Sequence, residues 1–337
     1  IWQAIMDKLK ILYAGSPLAS AIVLENLIQN SQKSGFEIAG VLTNPPSTRG
    51  RHSDLIPTEV AKCAASHGIK IFEFDHLKAE AREAVLPLNA DLLVSFDYGR
   101  IFGPKFLSLF PLGGINLHPS ALPKYRGCTP VPAAILNGDS ELGVTVQKLA
   151  LKTDEGDILA QDFISLGGTE TTKSLMDGDG NSSKITSLGT RLLIEVLEKI
   201  RENGKAEGVP QAETELAKSG ENFPYTEFIK KDDGIIDWNE SAEKIGRKIR
   251  AFTPWPLCST VSGGVKLLIL KAEISEKKSF EKCGTVLPYQ KSLGIEIACG
   301  GGSVLCVKEL QWQGKKAMDY KSFMNGARNF SGTVLGE

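Results

Sequence analysis

The sequence predicts an α/β protein in which a doubly wound, mostly parallel sheet is followed by a small C-terminal β-barrel. Short apolar runs alternate with patterns of helical spacing along the first part of the chain. These runs are apolar throughout, which is typical of strands that crossover helices cover on both faces. After residue 225, short runs broken by glycine follow one another closely, as they do in small barrels.

The N-terminal pattern begins with an apolar run over residues 10–14 that breaks at Gly15-Ser16-Pro17. Helical spacing follows, so Ser16 is a candidate N-cap and Pro17 stands near the start of the first helix. Further strands are predicted at residues 36–42, 70–73, 90–96, 113–118, 142–149 and 157–161. Helices are predicted at residues 58–67, 77–85 and 184–203.

The chain divides into two predicted domains and a linker. Residues 204–222 are rich in Gly, Lys, Glu and Ala and show no apolar periodicity, which predicts a linker. We therefore expect one domain over residues 8–203, a linker over 204–225 and a second domain over 226–337. Strands of the second domain are predicted at residues 266–271, 284–287, 295–298 and 304–310.

Composition excludes several classes of protein. Of the 337 residues, 42% are hydrophobic and 23% are charged, and no run of about 18 apolar residues could span a membrane. The net charge of −1 gives no overall attraction to nucleic acid or to a membrane surface. Residues 226–337, however, hold 17 Lys and Arg against 13 Asp and Glu, which hints at a module that faces a polyanion.

Six cysteines and four histidines are scattered along the chain, without a CxxC pair or zinc-ligand spacing. We therefore expect no metal site, and we expect the thiols to be reduced. The first residues have neither the apolar core of a signal peptide nor the Arg- and Ser-rich character of a transit peptide. Together these features predict a cytoplasmic protein.

Asn116 and His118 are the main candidates for chemistry. One residue separates them on a predicted strand, so their side chains point to the same face of the sheet. They stand at the carboxyl end of that strand, where open parallel sheets bind ligands. A carboxamide can donate to a developing oxyanion, and an imidazole can move protons near neutral pH. The alternative is a histidine that merely ends a strand.

Three other segments carry weaker signals. Asp154 lies in a polar turn over residues 152–158, and it gains a role only if that turn folds over the His118 edge; otherwise the turn is solvated. Arg49 and Arg51 lie in a loop that could clamp phosphate or could be solvated surface. The Gly15 turn lacks GxGxxG spacing, which favours a plain strand-to-helix turn over a dinucleotide site.

These motifs resemble the methionyl-tRNA formyltransferase family of folate-dependent formyltransferases over nearly the whole chain. In the N-terminal part the matching segments are residues 12–17, 91–99, 139–157 and the signature GINLHPSALPKYRG at 114–127. In the C-terminal part they are Asp237-Trp238, IRAFTPWP at 249–256, KELQ at 308–311 and GKKAM at 314–318. The N-terminal motifs are shared by folate-dependent formyltransferases in general, so it is the C-terminal match that indicates the substrate.

The resemblance implies a Rossmann-like formyltransferase fold with an OB-like, tRNA-binding C-terminal domain. It implies transfer of the formyl group of 10-formyltetrahydrofolate to the α-amino group of methionine on initiator Met-tRNA, for translation initiation. No metal and no membrane would take part. The protein would be a monomer in the cytoplasm of a bacterial-type cell.

Site residues follow from the resemblance position by position. Asn116, His118 and Asp154 would be catalytic. The folate-binding residues would be Leu93, Ser95, Phe96, Tyr98, Gly99, Ile101, Ser120, Leu122 and Pro123. The tRNA-binding residues would be Arg49, Arg51, Lys244, Arg247, Lys248 and Arg250, although Lys244, Arg247 and Lys248 could form a solvated helix face. Ser53 and Asp54 stand where the family usually has lysines, so the loop would either bind more weakly or depend more on Arg49 and Arg51.

Three rival functions use the same residues differently. A formyltetrahydrofolate hydrolase would use Asn116, His118 and Asp154 with water as the acceptor, and it would release formate without tRNA. A sugar-nucleotide formyltransferase would accept an amino sugar and would be active without RNA. A non-enzymatic RNA-binding protein would bind tRNA without turnover. The C-terminal match favours the tRNA enzyme over all three.

Overall fold

The computed structural model describes residues 8–48, 54–327 and 329–337. The polypeptide forms two compact units. The first contains the chain up to Pro130, together with Glu141–Ser165 and Ser174–Thr226. The second contains Val131–Ser140, Leu166–Lys173 and Glu227–Glu337. The boundaries predicted from the sequence stay a prediction, and the structure adds that two short segments belong with the second unit.

The helices and strands follow the predicted alternation. In chain order up to residue 226 they are β1 (Leu9–Ala14), α1 (Leu18–Ser34), β2 (Phe36–Thr43), β3 (Ser47–Thr48), β4 (Leu55–Ile56), α2 (Glu59–Ser66), β5 (Ile71–Glu73), α3 (Ala79–Val85), β6 (Leu92–Ser95), α4 (Pro104–Leu107), β7 (Gly114–His118), α5 (Pro130–Asn137), β8 (Glu141–Lys148), β9 (Ile158–Ser165), α6 (Thr172–Met176), α7 (Lys184–Asn203) and α8 (Glu215–Lys218). The rest are α9 (Ala242–Ala251), β10 (Cys258–Ser262), β11 (Val265–Ser275), β12 (Ile295–Ala298), β13 (Val304–Trp312), β14 (Met318–Asp319) and α10 (Tyr320–Gly326).

The first unit is built on a seven-stranded sheet of order β5-β2-β1-β6-β7-β8-β9. The first five strands of that order are parallel, whereas β8 and β9 are antiparallel to their neighbours. The mostly parallel sheet predicted from the sequence is therefore confirmed. From β1 the strand order runs outward through β2 to β5, and from β6 it runs in the opposite direction to β7. Such a switch point between β1 and β6 opens a crevice at the carboxyl ends of the strands.

Close packing fixes the position of β7 within this unit. Helix α7 begins with a reciprocal cap, in which the Ser183 side chain accepts from the Thr186 N–H and the Thr186 hydroxyl accepts from the Ser183 N–H. Its apolar stripe faces the sheet. At Gly189 a Cβ would lie 2.5 Å from Leu117 Cδ2, so this glycine lets the helix pack directly on β7.

Two local expectations are wrong. Pro17, not Ser16, is the N-cap of α1, and no side chain caps that helix. The Ser16 hydroxyl instead accepts a hydrogen bond from the Asn44 side chain at 2.9 Å. The strand expected at 284–287 forms only isolated bridges, because Gly284 has a φ of +88° and Pro288 has no N–H to donate.

The second unit contains a five-stranded antiparallel sheet in which β10, β11, β13 and β12 lie side by side and β14 pairs with β13. Its core includes Trp238, whose indole N–H donates to the Thr260 hydroxyl at 3.0 Å. Rings of Trp312, Phe323 and Phe330 pack together beside β13. Among the described helices of the whole chain, none is long and apolar enough to cross a bilayer.

Gly143 on β8 makes room for the loop that follows β7. A Cβ at this position would lie 2.4 Å from the Ala121 backbone nitrogen, so Gly143→Ala must displace the loop. We expect this substitution to lower the free energy of unfolding by about 1–3 kcal/mol, as overpacking commonly does. The urea midpoint measures the loss. Gly103→Ala is the control, because Gly103 has a φ of −71° and open space around it. Equal midpoints for the two variants would contradict the packing.

Candidate functional site

The carboxyl end of β7 carries Asn116 and His118. β7 lies between parallel β6 and antiparallel β8, with Asn116 opposite Ser95 on one side and opposite Gln147 on the other. Residues directly opposite each other on antiparallel strands share a face of the sheet. Asn116, His118 and Gln147 therefore point to the same face, at the edge where the parallel strands end.

His118 is held at both ring nitrogens. Only 5% of the residue is exposed. Its Nε2 lies 2.9 Å from the Tyr125 carbonyl oxygen, and because a carbonyl only accepts, we assign the hydrogen to Nε2. Its Nδ1 faces Asp154 Oδ1 at 3.7 Å, which is beyond direct hydrogen bonding but close enough for a charge on either group to act on the other.

The turn between β8 and β9 brings Asp154 to this edge. Asp154 has a φ of +54°, a left-handed conformation that few residues other than glycine adopt. The turn is tight, since a Cβ at Gly156 would lie 1.9 Å from the Lys148 carbonyl oxygen. From the sequence, Asp154 has a role only if its turn folds over the His118 edge. In the structure the turn does fold against His118.

Both carboxylate oxygens of Asp154 accept hydrogen bonds. Oδ2 accepts from the Gly127 N–H at 2.9 Å, and Oδ1 accepts from Gln147 Nε2 at 2.8 Å. The carboxylate is only 12% exposed and is fixed by one backbone donor and one side-chain donor. Such charge-assisted hydrogen bonds hold a carboxylate in one orientation, so the Oδ1 that faces His118 is not free to rotate away.

Asn116 differs from its two companions. Its side chain is half-buried, and within the described part of the chain its carboxamide makes no hydrogen bond. An unengaged amide at the carboxyl end of a strand can donate to a ligand without first breaking a contact. This is the property that an oxyanion donor needs.

Three residues that hold the Asp154 turn were not found from the sequence. They are Gln147, Gln211 and Tyr225. Gln147 is a polar residue within an apolar strand pattern, and this exception could have identified it from the sequence. In the structure it lies directly opposite Asn116. Gln211 and Tyr225 lie in or beside the stretch predicted as a linker, where composition gave no sign of a buried contact.

Most residues predicted to bind folate, several of them through the backbone, are buried. Leu93, Ser95, Phe96, Tyr98, Ser120, Leu122 and Pro123 are all buried. The Ser120 hydroxyl donates to the Lys124 carbonyl at 2.6 Å. Two members differ: Gly99 is exposed with a φ of +77°, and Ile101 is 81% exposed.

Tyr98 shows how the segment after β6 is held. Its ring stacks on Phe102 in the core, and burial raises the pKa of its hydroxyl to about 12. The hydroxyl has no hydrogen-bond partner among the described residues. Asn44 Nδ2 donates to the Tyr98 carbonyl at 3.1 Å, and Arg100 hydrogen-bonds to the Asn44 side-chain oxygen. The loop is therefore anchored at Tyr98 and Arg100, on either side of exposed Gly99 and directly before exposed Ile101.

The predicted tRNA-binding residues divide into two groups. Arg49 and Arg51 lie outside the described residues. The other four belong to α9, whose cations already have partners in the second unit: Lys244 pairs with Glu240, Arg247 with Glu243, Lys248 with the Ile235 carbonyl and Arg250 with the Glu170 carbonyl. Only Lys244 is fully exposed, so a role of this helix in binding RNA stays a prediction.

One group of potential metal ligands lies away from this edge, in the described part of the chain. Glu25, Cys63 and His67 bring one ligand atom each within 4.8 Å of one another. Their contacts are those of a hydrogen-bonded cluster: Glu25 Oε2 lies 2.7 Å from His67 Nε2 and 3.5 Å from Cys63 Sγ. Burial and the Glu25 carboxylate raise the pKa of Cys63 to about 12, which disfavours the thiolate that metals bind. The absence of a metal stays a prediction.

Comparison with known proteins assigns both parts of the chain. A family model described as "Formyl transferase" matches residues 8–196, and one described as "Formyl transferase, C-terminal domain" matches residues 228–328. A methionyl-tRNA formyltransferase of Treponema denticola is 42% identical over 335 residues, which cover 96% of this chain and 98% of that protein. One from Borreliella burgdorferi is 35% identical over 329 residues, covering 97% and 99%.

Solved structures share the fold at lower identity. HypX from Aquifex aeolicus matches with a TM-score of 0.63 at 16% identity over 98% of this chain, which spans about half (49%) of HypX. WlaRD, described as a sugar 3N-formyl transferase, matches with a TM-score of 0.59 at 19% identity, covering 91% of this chain and 99% of WlaRD. At these identities the likeness supports the fold alone.

The fold class and the family predicted from the sequence are thus confirmed. Relatives of one description match nearly end to end at identities of a third or more, and both family models match in the predicted order. The chain belongs to the formyltransferase family and, within it, to the methionyl-tRNA formyltransferases.

Proposed function

We propose that the protein transfers the formyl group of 10-formyltetrahydrofolate to the methionyl amine of initiator Met-tRNA, with Asn116, His118 and Asp154 as its catalytic residues. The observation that carries this proposal is the Asp154 carboxylate, fixed by two donors and facing His118 Nδ1 at 3.7 Å. The curated relatives named methionyl-tRNA formyltransferase supply the acceptor. A HypX structure described as a complex with tetrahydrofolic acid supports a folate carrier.

The chemistry needs an oxyanion donor and a proton carrier. The neutral amine attacks the formyl carbon, and a C–N bond forms as the carbonyl oxygen becomes an oxyanion. Asn116, with its unengaged carboxamide, donates to that oxygen. The bond from carbon to N10 of the folate then breaks, N10 receives a proton, and the amine nitrogen loses one. The product is an amide on the tRNA and a folate without its formyl group.

His118 and Asp154 have separate roles in proton transfer. The His118 Nε2–H, which donates here to the Tyr125 carbonyl, exchanges that acceptor for the oxyanion and then delivers its proton toward N10. Asp154, through water, helps to pass the proton of the attacking amine to Nδ1 of the ring, and its carboxylate balances the positive charge that the ring carries until Nε2 gives up its hydrogen. Both substrates are held in one cleft, so much of the rate enhancement comes from positioning.

The proposed folate and tRNA contacts are chosen from the residues that the sequence predicts. Ile101 and Gly99 are the exposed members that follow β6, where the backbone of the segment would receive the pterin. Arg49 and Arg51 would bind phosphates of the tRNA acceptor arm, with Lys244 as the exposed cation of α9. We further propose that the protein acts as a monomer in the cytoplasm.

The catalytic set is tested with Asn116→Ala, His118→Ala and Asp154→Ala in formyl transfer to charged initiator tRNA. Loss of one oxyanion donor lowers kcat by about 10²–10³-fold, and we expect Asn116→Ala to fall in that range. The other two are expected to lose at least as much. Uncharged tRNA is the substrate control. Wild-type kcat in any of the three variants would contradict the role of that residue.

The folate contact is tested with Ile101→Ser. An exposed isoleucine that a ligand covers contributes through its buried apolar area, so we expect the KM for 10-formyltetrahydrofolate to rise about 10-fold at unchanged kcat. Leu86→Ser is the matched control, because Leu86 is also an exposed aliphatic residue of the first unit. An unchanged folate KM in Ile101→Ser would remove this residue from the site.

The tRNA contact of the loop is tested by reversing one charge with Arg51→Glu. Because phosphate contacts release counterions, we expect a higher KM for Met-tRNA and a weaker dependence of kcat/KM on salt. The dissociation constant for folate is expected to stay the same. Lys33→Glu, which makes the same change of charge at an exposed position of α1, serves as the control. If Arg51→Glu instead abolished folate binding, the loop would be misassigned.

A further inference from the structure

We infer that Gln211 is a positioning residue for formyl transfer, because it holds the turn that carries Asp154 in the conformation its carboxylate needs. This inference rests on the proposed catalytic role of Asp154. Gln211 lies 57 residues further along the chain, within a short helical turn over Gln211–Glu213, and only 5% of it is exposed. It touches the backbone of the turn rather than the reacting atoms, so its effect would pass through Asp154.

The orientation of the Gln211 carboxamide is determined by its partners. Its Oε1 accepts from Arg126 Nε at 2.9 Å and from Arg126 Nη2 at 2.7 Å. Arginine only donates, so the oxygen of the carboxamide must face it. Nε2 consequently faces the other way, and it donates to the carbonyl of Asp154 at 2.8 Å and to the carbonyl of Gly156 at 2.9 Å.

The turn needs such support because its backbone is unfavourable by itself. Asp154 has a φ of +54°, which costs energy in a residue with a Cβ, although less in aspartate than in most residues, and contacts with the surrounding structure stabilise it. Gln211 binds the carbonyls on both sides of Glu155. Tyr225 holds the neighbouring position, since its hydroxyl donates to the Thr153 carbonyl at 3.0 Å.

Gln211 also connects the Asp154 turn to the loop that follows His118. Arg126, which donates to Gln211, precedes Gly127, whose N–H donates to Asp154 Oδ2. The Arg126 carbonyl accepts from the Thr226 N–H at 2.7 Å. One buried carboxamide therefore fixes the backbone of Asp154 and the residue beside one of its two carboxylate donors. Loss of Gln211 would loosen both sides of the contact with His118.

The test replaces Gln211 with an apolar side chain of similar length, Gln211→Met. Losses of supporting hydrogen bonds around a reactive group typically cost 10–100-fold in activity, and we expect kcat to fall by about that factor. The KM values for folate and Met-tRNA are expected to change by less than about twofold, since Gln211 touches neither substrate. Glu213→Gln, an exposed change in the same helical turn, is the matched control.

A double-mutant cycle separates positioning from general support of the fold. In an Asp154→Ala background, Gln211→Met is expected to change the residual kcat by less than about twofold, because the carboxylate that it positions is gone. An equal loss of kcat in both backgrounds would mean that Gln211 acts elsewhere, and it would overturn the inference. So would wild-type kcat in Gln211→Met.

Gln211→Glu provides a second variant that keeps the partner of Arg126. The new carboxylate still accepts from the guanidinium, but it has no hydrogen to donate to the two turn carbonyls. We expect the same loss of kcat as in Gln211→Met, and wild-type kcat would again overturn the inference. A wild-type protein that does not formylate Met-tRNA would instead overturn the proposed function, so the two failures are distinguishable.

Discussion

The hydrogen-bonded Asp154 carboxylate is the constraint on which the site depends. Its two donors, the Gly127 N–H and Gln147 Nε2, come from different parts of the chain. One belongs to the loop after β7 and the other to β8, so the carboxylate can be held only when both elements are in place. A buried carboxylate is costly without such partners, and here each oxygen has one. His118 faces this fixed charge from the end of β7.

The fold explains why these residues meet. β7 is the last parallel strand of the sheet, and β8 runs antiparallel beside it, with His118 opposite Thr145 and Ile115 opposite Lys148. The turn after β8 therefore starts beside the beginning of β7 and folds back to bring Asp154 within 3.7 Å of His118. Residues at the carboxyl end of β7 are thereby placed at the usual ligand-binding edge of an open sheet. Gly143 and Gly189 allow the neighbouring loop and α7 to pack closely around the strand. Tight packing of the scaffold in this way keeps the reacting groups in register.

Sequence patterns could predict the parts that local periodicity encodes. The alternation of strands and helices, α7 at residues 184–203, and the shared face of Asn116 and His118 follow from spacing alone. Gln211 could not be found in this way, because its partners lie 57 and 85 residues away and no local pattern records such pairings. The burial of Leu93 could be predicted, because its strand is apolar throughout and such strands are covered on both faces.

We propose that this edge of the sheet moves a formyl group to an amine on RNA and not to water. The most direct test follows labelled formyl from 10-formyltetrahydrofolate and measures how it is divided between methionyl-tRNA and free formate in one reaction. We expect label on charged initiator tRNA, with little formate whether or not tRNA is present. Formate released at the same rate with and without tRNA would contradict it, because water would then be the acceptor and the C-terminal unit would have no part in the reaction.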